Sequence, residues 1–215
     1  MHRIAHHGAG ALLAFAVLSS LPSTAAALPI ISEVFYDAVG TDDGQVFVEL
    51  YGAPGTDLTG LVVEGINGSN GAVTDSIALS GVMPMDGFFV VADALFDGTT
   101  LVGNADLIGS FDFQNGPDSI VLRDADGVLD AIGYGVFGPG EVFAGEGTPA
   151  PDAPVDSSLA RQFADLDTDD NFADFEIALP TPGTAPLTGV PEPGTGVLLA
   201  GGLASLARLG RRRER

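Results

Sequence analysis

The chain has 215 residues, with 29 aspartates and glutamates against eight arginines and no lysine, for a formal net charge of −21 at pH 7. This charge repels a phosphate backbone, so we predict no nucleic-acid partner. There is no cysteine, and all three histidines lie in the first seven residues. The rest of the chain is therefore excluded from thiol and Ser-His-Asp catalysis and from zinc or copper sites built on imidazole or thiolate.

The N-terminal segment has the three parts of a secretory signal peptide. Arg3 supplies a positive start, residues 9–21 are apolar, and three alanines at positions 25–27 offer the small side chains of a cleavage site. We expect a signal peptide helix over residues 1–27, removed by cleavage after Ala27, with Ala26 as the alternative.

The remaining segment, residues 28–189, is more acidic than the whole chain. It holds 27 acids but only two arginines, Arg123 and Arg161, which leaves a formal net charge of −25. Its 162 residues correspond to one domain that is large enough to bury a core. The charge favours a soluble surface that attracts cations.

Short apolar runs between turn clusters predict that this domain is all-β. The predicted strands cover residues 30–36, 46–51, 61–66, 74–79, 87–92, 107–113, 118–123, 128–134 and 174–178. Such spacing is typical of a sandwich or barrel. The strand at 46–51 has apolar residues on both faces, which predicts a central position. Residues 135–157 are rich in Pro, Gly and Ala and are predicted to form a long surface loop.

Nine short motifs follow one another between residues 31 and 183. They are 31–34 (ISEV), 46–51 (VFVELY), 57–60 (DLTG), 87–91 (GFFVV), 115–122 (NGPDSIVL), 126–130 (DGVLD), 158–161 (SLAR), 167–175 (DTDDNFADF) and 180–183 (PTPG). In this order they resemble the lamin-tail domain in its bacterial secreted form, over residues 28–186. The resemblance implies an immunoglobulin-like β-sandwich that serves as an attachment or interaction module. Leu61 stands where that family often has a tryptophan.

The densest group of acids, between residues 165 and 176, has the spacing of a calcium loop. The residues at positions 1, 3, 5, 7 and 12 of a twelve-residue loop are Asp165, Asp167, Asp169, Asn171 and Glu176. Position 6 is Asp170 instead of glycine, and no flanking helices are predicted, so the segment is not an EF-hand. Two interpretations remain: a calcium loop of related design, or a turn whose aspartates accept backbone amides while Arg161 offsets part of the charge.

A second group of acids comprises Asp42, Asp43 and Glu49. Glu49 lies in the predicted central strand, where a buried carboxylate needs a partner. Backbone amides or Arg161 would serve, which favours a structural role. A glycosidase would need one defined pair of carboxylates, and no pair stands out among so many, so we predict no catalytic residues and no enzyme.

The C-terminal segment contains a short signature, an apolar run and a basic end. The signature is Val190-Pro191-Glu192-Pro193, the apolar run is 194–207, and the basic residues are Arg208, Arg211, Arg212, Arg213 and Arg215. The prolines keep the signature extended, and the arginines favour the cytoplasmic side of a membrane. The run is predicted to be a short apolar helix, below the roughly 20 residues of a stable span.

This order of elements resembles the PEP-CTERM sorting signal of Gram-negative bacteria. The resemblance implies an exosortase-like enzyme that recognises the signature and removes the tail. An ordinary C-terminal membrane anchor is the alternative, although fourteen apolar residues make a poor one.

The sequence thus predicts a signal peptide over 1–27, a lamin-tail-like sandwich over 28–186, and a linker with the sorting signal over 187–215. We expect an exported protein, transiently associated with the inner membrane and then delivered to the cell surface or extracellular matrix. The expected role is that of a non-enzymatic component of a biofilm or exopolysaccharide matrix, with extracellular polysaccharide as a candidate partner and no cofactor. Alternatives are a calcium- or carbohydrate-binding adhesion module and a carboxylate-based glycosidase.

Overall fold

The computed structural model describes residues 28–188, which contain ten strands and one turn of helix. The elements are β1 (Ile30–Phe35), β2 (Phe47–Tyr51), β3 (Val62–Asn67), β4 (Val73–Ala78), β5 (Phe88–Asp93), β6 (Ala105–Gly109), β7 (Asp118–Arg123), β8 (Val128–Tyr134), β9 (Ser158–Arg161), α1 (Asn171–Asp174) and β10 (Phe175–Ala178). The predicted signal peptide helix and C-terminal apolar helix lie outside these residues. Within them, no helix has the length and apolar character needed to cross a membrane.

The strands form two sheets. One has six strands in the order β10-β9-β1-β2-β5-β6, and the other has four in the order β4-β3-β7-β8. Neighbouring strands are antiparallel except for β5 and β6, which are parallel. Apolar side chains of both sheets join in one buried cluster. The six-stranded sheet contributes Ile31, Val48, Leu50, Phe89 and Val91, and the four-stranded sheet contributes Val63, Ile120, Leu122 and Ile132. The predicted all-β class is confirmed.

A β-bulge in β1 determines which side chains leave the core. Ile31 pairs with Leu50 and Glu33 pairs with Glu49, so Ser32 is an extra residue in the strand. Because side chains alternate along a regular strand, this extra residue lets both Ile31 and Val34 reach the core cluster. It also places the carboxylates of Glu33 and Glu49 beside each other, away from that cluster.

Eight predicted strands coincide closely with observed ones, and β2 is central, between β1 and β5, as its pattern predicted. The strand expected at 107–113 is shifted, since β6 ends at Gly109. Phe111 and Phe113 are still buried, but the backbone amides of this segment donate to aspartate side chains instead of to a neighbouring strand. Asp93 accepts the Phe111 amide at 3.0 Å and Asp75 accepts the Asp112 amide at 3.1 Å. The four-residue strand β9 was not predicted.

The predicted loop at 135–157 contains no strand, only a single bridge at Ala150. It is nevertheless tied to the sheets. The Ala153 amide donates to the Tyr36 hydroxyl at 2.8 Å, and the Ala150 amide donates to the Gly133 carbonyl at 2.8 Å. These bonds hold the loop against β8 and against Tyr36, which directly follows β1. The loop also contributes Glu146 to a polar site beside β8.

Candidate functional site

A buried arginine is the centre of the main polar cluster. Arg161, on β9, is only 1% exposed. Its guanidinium nitrogens lie 2.9 Å from Asp130 Oδ1, 2.9 Å from Asp174 Oδ2 and 3.3 Å from Asp167 Oδ1. Asp130 belongs to β8 in the four-stranded sheet, whereas β9 belongs to the six-stranded sheet. The buried ion pair between them therefore links the two sheets.

The other donors of Arg161 are also satisfied. Its Nε donates to the Ile31 carbonyl at 2.7 Å, and Nη1 donates to the Leu166 carbonyl at 3.1 Å. The guanidinium carbon lies 4.6 Å from the centre of the Phe175 ring, in cation–π contact. The planar guanidinium of arginine, with its five N–H donors, can make all these contacts, whereas the ammonium group of a lysine cannot.

Beside Arg161, three acids form a small group that we call the acidic triad: Asp130, Glu146 and Asp167. Each offers a carboxylate oxygen, and the three oxygens lie within 4.8 Å of one another. The Glu146 Oε2 atom is buried and has no hydrogen-bond partner. Burial, followed by the negative charges of Asp130 and Asp167, raises the pKa of Glu146 to about 8, against the opposing effect of Arg161. At neutral pH this arrangement favours a proton or another cation on the triad.

The residues of the predicted calcium loop have other partners. Asp165 accepts the Thr188 amide at 2.7 Å and the Thr188 hydroxyl at 2.5 Å. Asp167 accepts from Arg161 and, at 3.2 Å, from the amide of Asp169, which has a positive φ of 55°. Backbone amides, a hydroxyl and Arg161 thus surround these carboxylates.

The last two predicted calcium ligands, Asn171 and Glu176, do not belong to the acidic triad. Asn171 is fully buried, and its Oδ1 accepts the amides of Gly133 at 2.8 Å and Glu146 at 2.9 Å. Glu176 is exposed on β10, the strand that directly follows α1. Among residues 28–188 the acidic triad is the only group of three acids within 4.8 Å, and Asp167 alone of the predicted ligands belongs to it.

A second polar site is formed by the adjacent carboxylates of Glu33 and Glu49, both fully buried. Glu33 accepts the Ser158 hydroxyl at 2.5 Å, while Glu49 accepts the Ser32 hydroxyl at 2.6 Å. Burial is the main cause that raises the pKa of Glu49 to about 7, and the negative charge of Glu33 adds to it. Burial also raises the pKa of Glu33.

The same two carboxylates hold the segment after β10, residues 179–188, which we call the C-terminal strap. The Thr181 amide donates to Glu33 at 3.0 Å and the Gly183 amide donates to Glu49 at 2.6 Å. The Pro182 carbonyl accepts from the side chain of Asn104 at 2.9 Å. Glu49 therefore has backbone and hydroxyl partners, in keeping with the structural role expected for it.

Asp42 and Asp43, which the sequence grouped with Glu49, are not part of this site. Asp42 caps its own loop by accepting the Ala38 amide at 2.7 Å. The structure does not bring the three acids within 4.8 Å of one another. The sorting residues Val190, Pro191, Glu192, Pro193, Arg208, Arg211, Arg212 and Arg213 lie outside the described residues.

The sequence analysis singled out only Asp167 of the acidic triad. Asp130 could have been found, because an acid within an apolar strand is a local sign of a buried carboxylate that needs a partner. Glu146 lies in a loop rich in glycine and proline, where nothing local distinguishes it from the other acids of that loop. Its position depends on Asn171, 25 residues away, which accepts its amide.

Comparison with protein-family models, with curated proteins and with solved structures yields no match to this chain. The function must therefore be argued from its own residues and geometry, together with the two resemblances seen in its motifs.

Proposed function

We propose that this protein is an exported, non-enzymatic β-sandwich protein that a C-terminal sorting signal directs to the cell surface or extracellular matrix. In this proposal the two-sheet domain is immunoglobulin-like and of lamin-tail type, and an exosortase-like enzyme removes the tail. The observation that carries the proposal is the order of the last 26 residues: signature, apolar run and arginines.

The described domain supports this proposal by its position in the chain. Its strap continues to Thr188, and the signature begins at Val190. The folded domain thus lies between the two predicted targeting segments and contains neither. Its acidic character also suits an exported matrix protein, because strong like charge opposes aggregation and attracts counterions.

A non-enzymatic role is supported by the use of the buried carboxylates. Glu33 and Glu49 fasten the strap, and Asp130 and Asp174 balance Arg161. Each accepts hydrogen bonds from the protein's own groups. A glycosidase would need two carboxyls that face a shared space at a defined separation.

The sorting proposal predicts processing that depends on the signature. The full chain would be expressed in a Gram-negative host that has an exosortase-like enzyme and in the same host without it. We expect intact-mass analysis to show an N-terminus at Leu28 in both hosts and loss of the tail only in the first. Glu192→Ala should abolish tail removal, and Glu141→Ala, outside the signature, should leave it unchanged. Equal tail removal in both hosts, or in Glu192→Ala, would contradict the proposal.

A second candidate function is calcium binding, which the acidic triad favours. Calcium prefers oxygen ligands at about 2.3–2.6 Å. The triad brings a carboxylate oxygen of Glu146 within 4.8 Å of two further carboxylates, and Glu146 Oε2 is buried without a hydrogen-bond partner. Arg161 competes with this role, because it already supplies positive charge to Asp130 and Asp167. A proton on Glu146 is the alternative occupant.

A comparison of melting temperatures in calcium and sodium salts at equal ionic strength shows whether the triad holds calcium or a proton. If the triad binds calcium, the Tm of the protein should rise more in calcium chloride than in sodium chloride. Glu146→Gln should remove the difference, whereas Glu176→Gln, an exposed glutamate of the predicted loop, should retain it. Equal gains in both salts would indicate screening of the acidic surface alone and would assign the triad to a proton.

A further inference from the structure

A pocket of about 460 Å³ lies at the place where both ends of the described domain meet. Its apolar wall is formed by Leu28 and Ile30 at the start of β1, Tyr51 at the end of β2, and Pro54 in the following turn. Asp165 forms part of its acidic side. The pocket is thus mainly apolar and carries negative charge at one side.

The chain leaves the described domain at the rim of this pocket. Asp165, which lines the pocket, also binds the amide and hydroxyl of Thr188, the last described residue. Just before it, the Pro186 carbonyl accepts the Ala164 amide at 2.8 Å. These bonds fasten the end of the strap beside the pocket opening.

The next residues are suited to the pocket in chemistry and reach. Gly189, a residue type with few restrictions on its backbone angles, separates Thr188 from Val190, and Val190 and Pro191 are apolar. Val190 is two residues beyond Thr188, so it can lie up to about 7 Å away. Because the segment is tethered at the rim, its effective concentration is high and a weak contact suffices to fill the pocket.

We propose that the pocket binds the chain's own Val190 and Pro191, which stack on Tyr51 and Pro54. The charge of the pocket sets the direction of the segment. Asp165 and Asp167 repel Glu192, so the carboxylate of the signature points to solvent while the residues before it are covered. One consequence rests on the proposed function: docking shields the signature from the processing enzyme, which acts on the undocked form.

Disulfide trapping tests the docking directly, since the chain has no cysteine of its own. The full chain in detergent micelles would carry Ala53→Cys, in the pocket wall, together with Val190→Cys. A disulfide requires Cα atoms about 4.4–6.8 Å apart. We expect mild oxidation to close this pair rapidly within one chain, with a loss of two hydrogens in the intact mass.

The matched control pairs Val190→Cys with Asp97→Cys. Asp97 is exposed in the loop after β5, beyond the Ala92 end that pairs with Phe47, and therefore lies at the opposite end of β2 from the pocket. The five residues of β2 separate the two ends by about 17 Å. The control pair should close at least tenfold more slowly.

Equal closure of the two pairs, no closure of either, or a disulfide that joins two chains would each overturn the docking. A disulfide between chains would assign the pocket to a second copy. A pocket cysteine that is protected from thiol reagents while Val190→Cys remains free would assign it to an external ligand.

The consequence for processing has a separate readout. The locked disulfide should slow tail removal, and reduction should restore it. If no form of the chain is processed, the sorting proposal fails while the trapping result still decides the docking. If the locked and reduced forms are processed equally, the docking stands and its regulatory effect is refuted.

Discussion

Replacing Arg161 with methionine should destabilise residues 28–189 by about 3–5 kcal/mol, the cost of leaving buried charge without its partner. Asp130 and Asp174 are both buried, and each would lose its ion pair at 2.9 Å. The carbonyl of Ile31 would also lose its donor. The free energy of unfolding, measured by urea titration at pH 7, checks this result.

The other arginine of the domain is a matched control. Arg123 pairs with Glu64 at 3.4 Å, and its side chain is 44% exposed. Exposed pairs contribute about 0–1 kcal/mol, so Arg123→Met should change stability little. Similar small losses in both variants would contradict a central role for Arg161.

A second substitution separates lost attraction from unpaired charge. In Arg161→Met the carboxylate of Asp130 stays buried, so adding Asp130→Asn should recover part of the lost stability. Arg161→Lys should fall between the parent and Arg161→Met, because it keeps the charge but not the planar set of donors. If the stability lost in the double variant equals the sum of the losses in the two single variants, the cost does not come from the unpaired charge of Asp130.

The strands were predictable because their signals are local. The short apolar run of β2, with the turn after it, indicates a strand wherever the partner lies. The strand β9 was missed because its four residues are too short to show a period, and because one of its partners, β1, is distant in the chain. Phe111 and Phe113 gave a strand pattern that the fold uses for burial without a ladder.

The polar sites could be predicted only in part, because their contacts join distant segments. Thr181 and Glu33 are 148 residues apart, and Arg161 and Ile31 are 130 residues apart. The sequence correctly marked Glu49 as a buried acid in need of a partner, since an acid within a central strand is a local observation. It did not identify Gly183 as that partner, because a glycine amide has no side-chain signal.

Lowering the pH from about 9 to about 6 should stabilise the domain. Burial raises the pKa of Glu49 to about 7 and that of Glu146 to about 8, and it also raises the pKa of Glu33. In the unfolded chain these groups titrate near their ordinary value of about 4.3. The folded state therefore binds more protons over this interval, and its stability rises as the pH falls.

The direction of this pH dependence follows from the direction of the pKa shifts. The contribution of each raised group is complete below the pKa of the unfolded state and is lost as the pH rises through about 7 for Glu49 and about 8 for Glu146. Because each pKa unit corresponds to about 1.4 kcal/mol, the full contribution of Glu49, reached below about pH 4.3, is on the order of 3 kcal/mol, and about 1.4 kcal/mol of it is regained between pH 9 and pH 6. Glu146 is half-buried, and solvent screening reduces its share.

Glu49→Gln should flatten this pH dependence and raise stability at pH 8.5 above that of the parent. A glutamine keeps both contacts, because its carbonyl can accept the Gly183 amide while its NH2 donates to the Ser32 hydroxyl. Glu176→Gln, on the exposed side of β10, is the control and should preserve the parent's slope. Urea titrations at several pH values provide the measurement.

Stability that decreases from pH 9 to pH 6 would reverse this account. It would mean that the hydrogen bonds from Ser158, Thr181 and Gly183 favour the ionised carboxylates by more than burial disfavours them. Because Thr181 and Gly183 belong to the strap, the same titration also reports its attachment. If the strap detaches at high pH, Glu33 and Glu49 become solvated there, and hydrogen exchange at the Thr181 and Gly183 amides should accelerate with the same midpoint, beyond the intrinsic effect of pH.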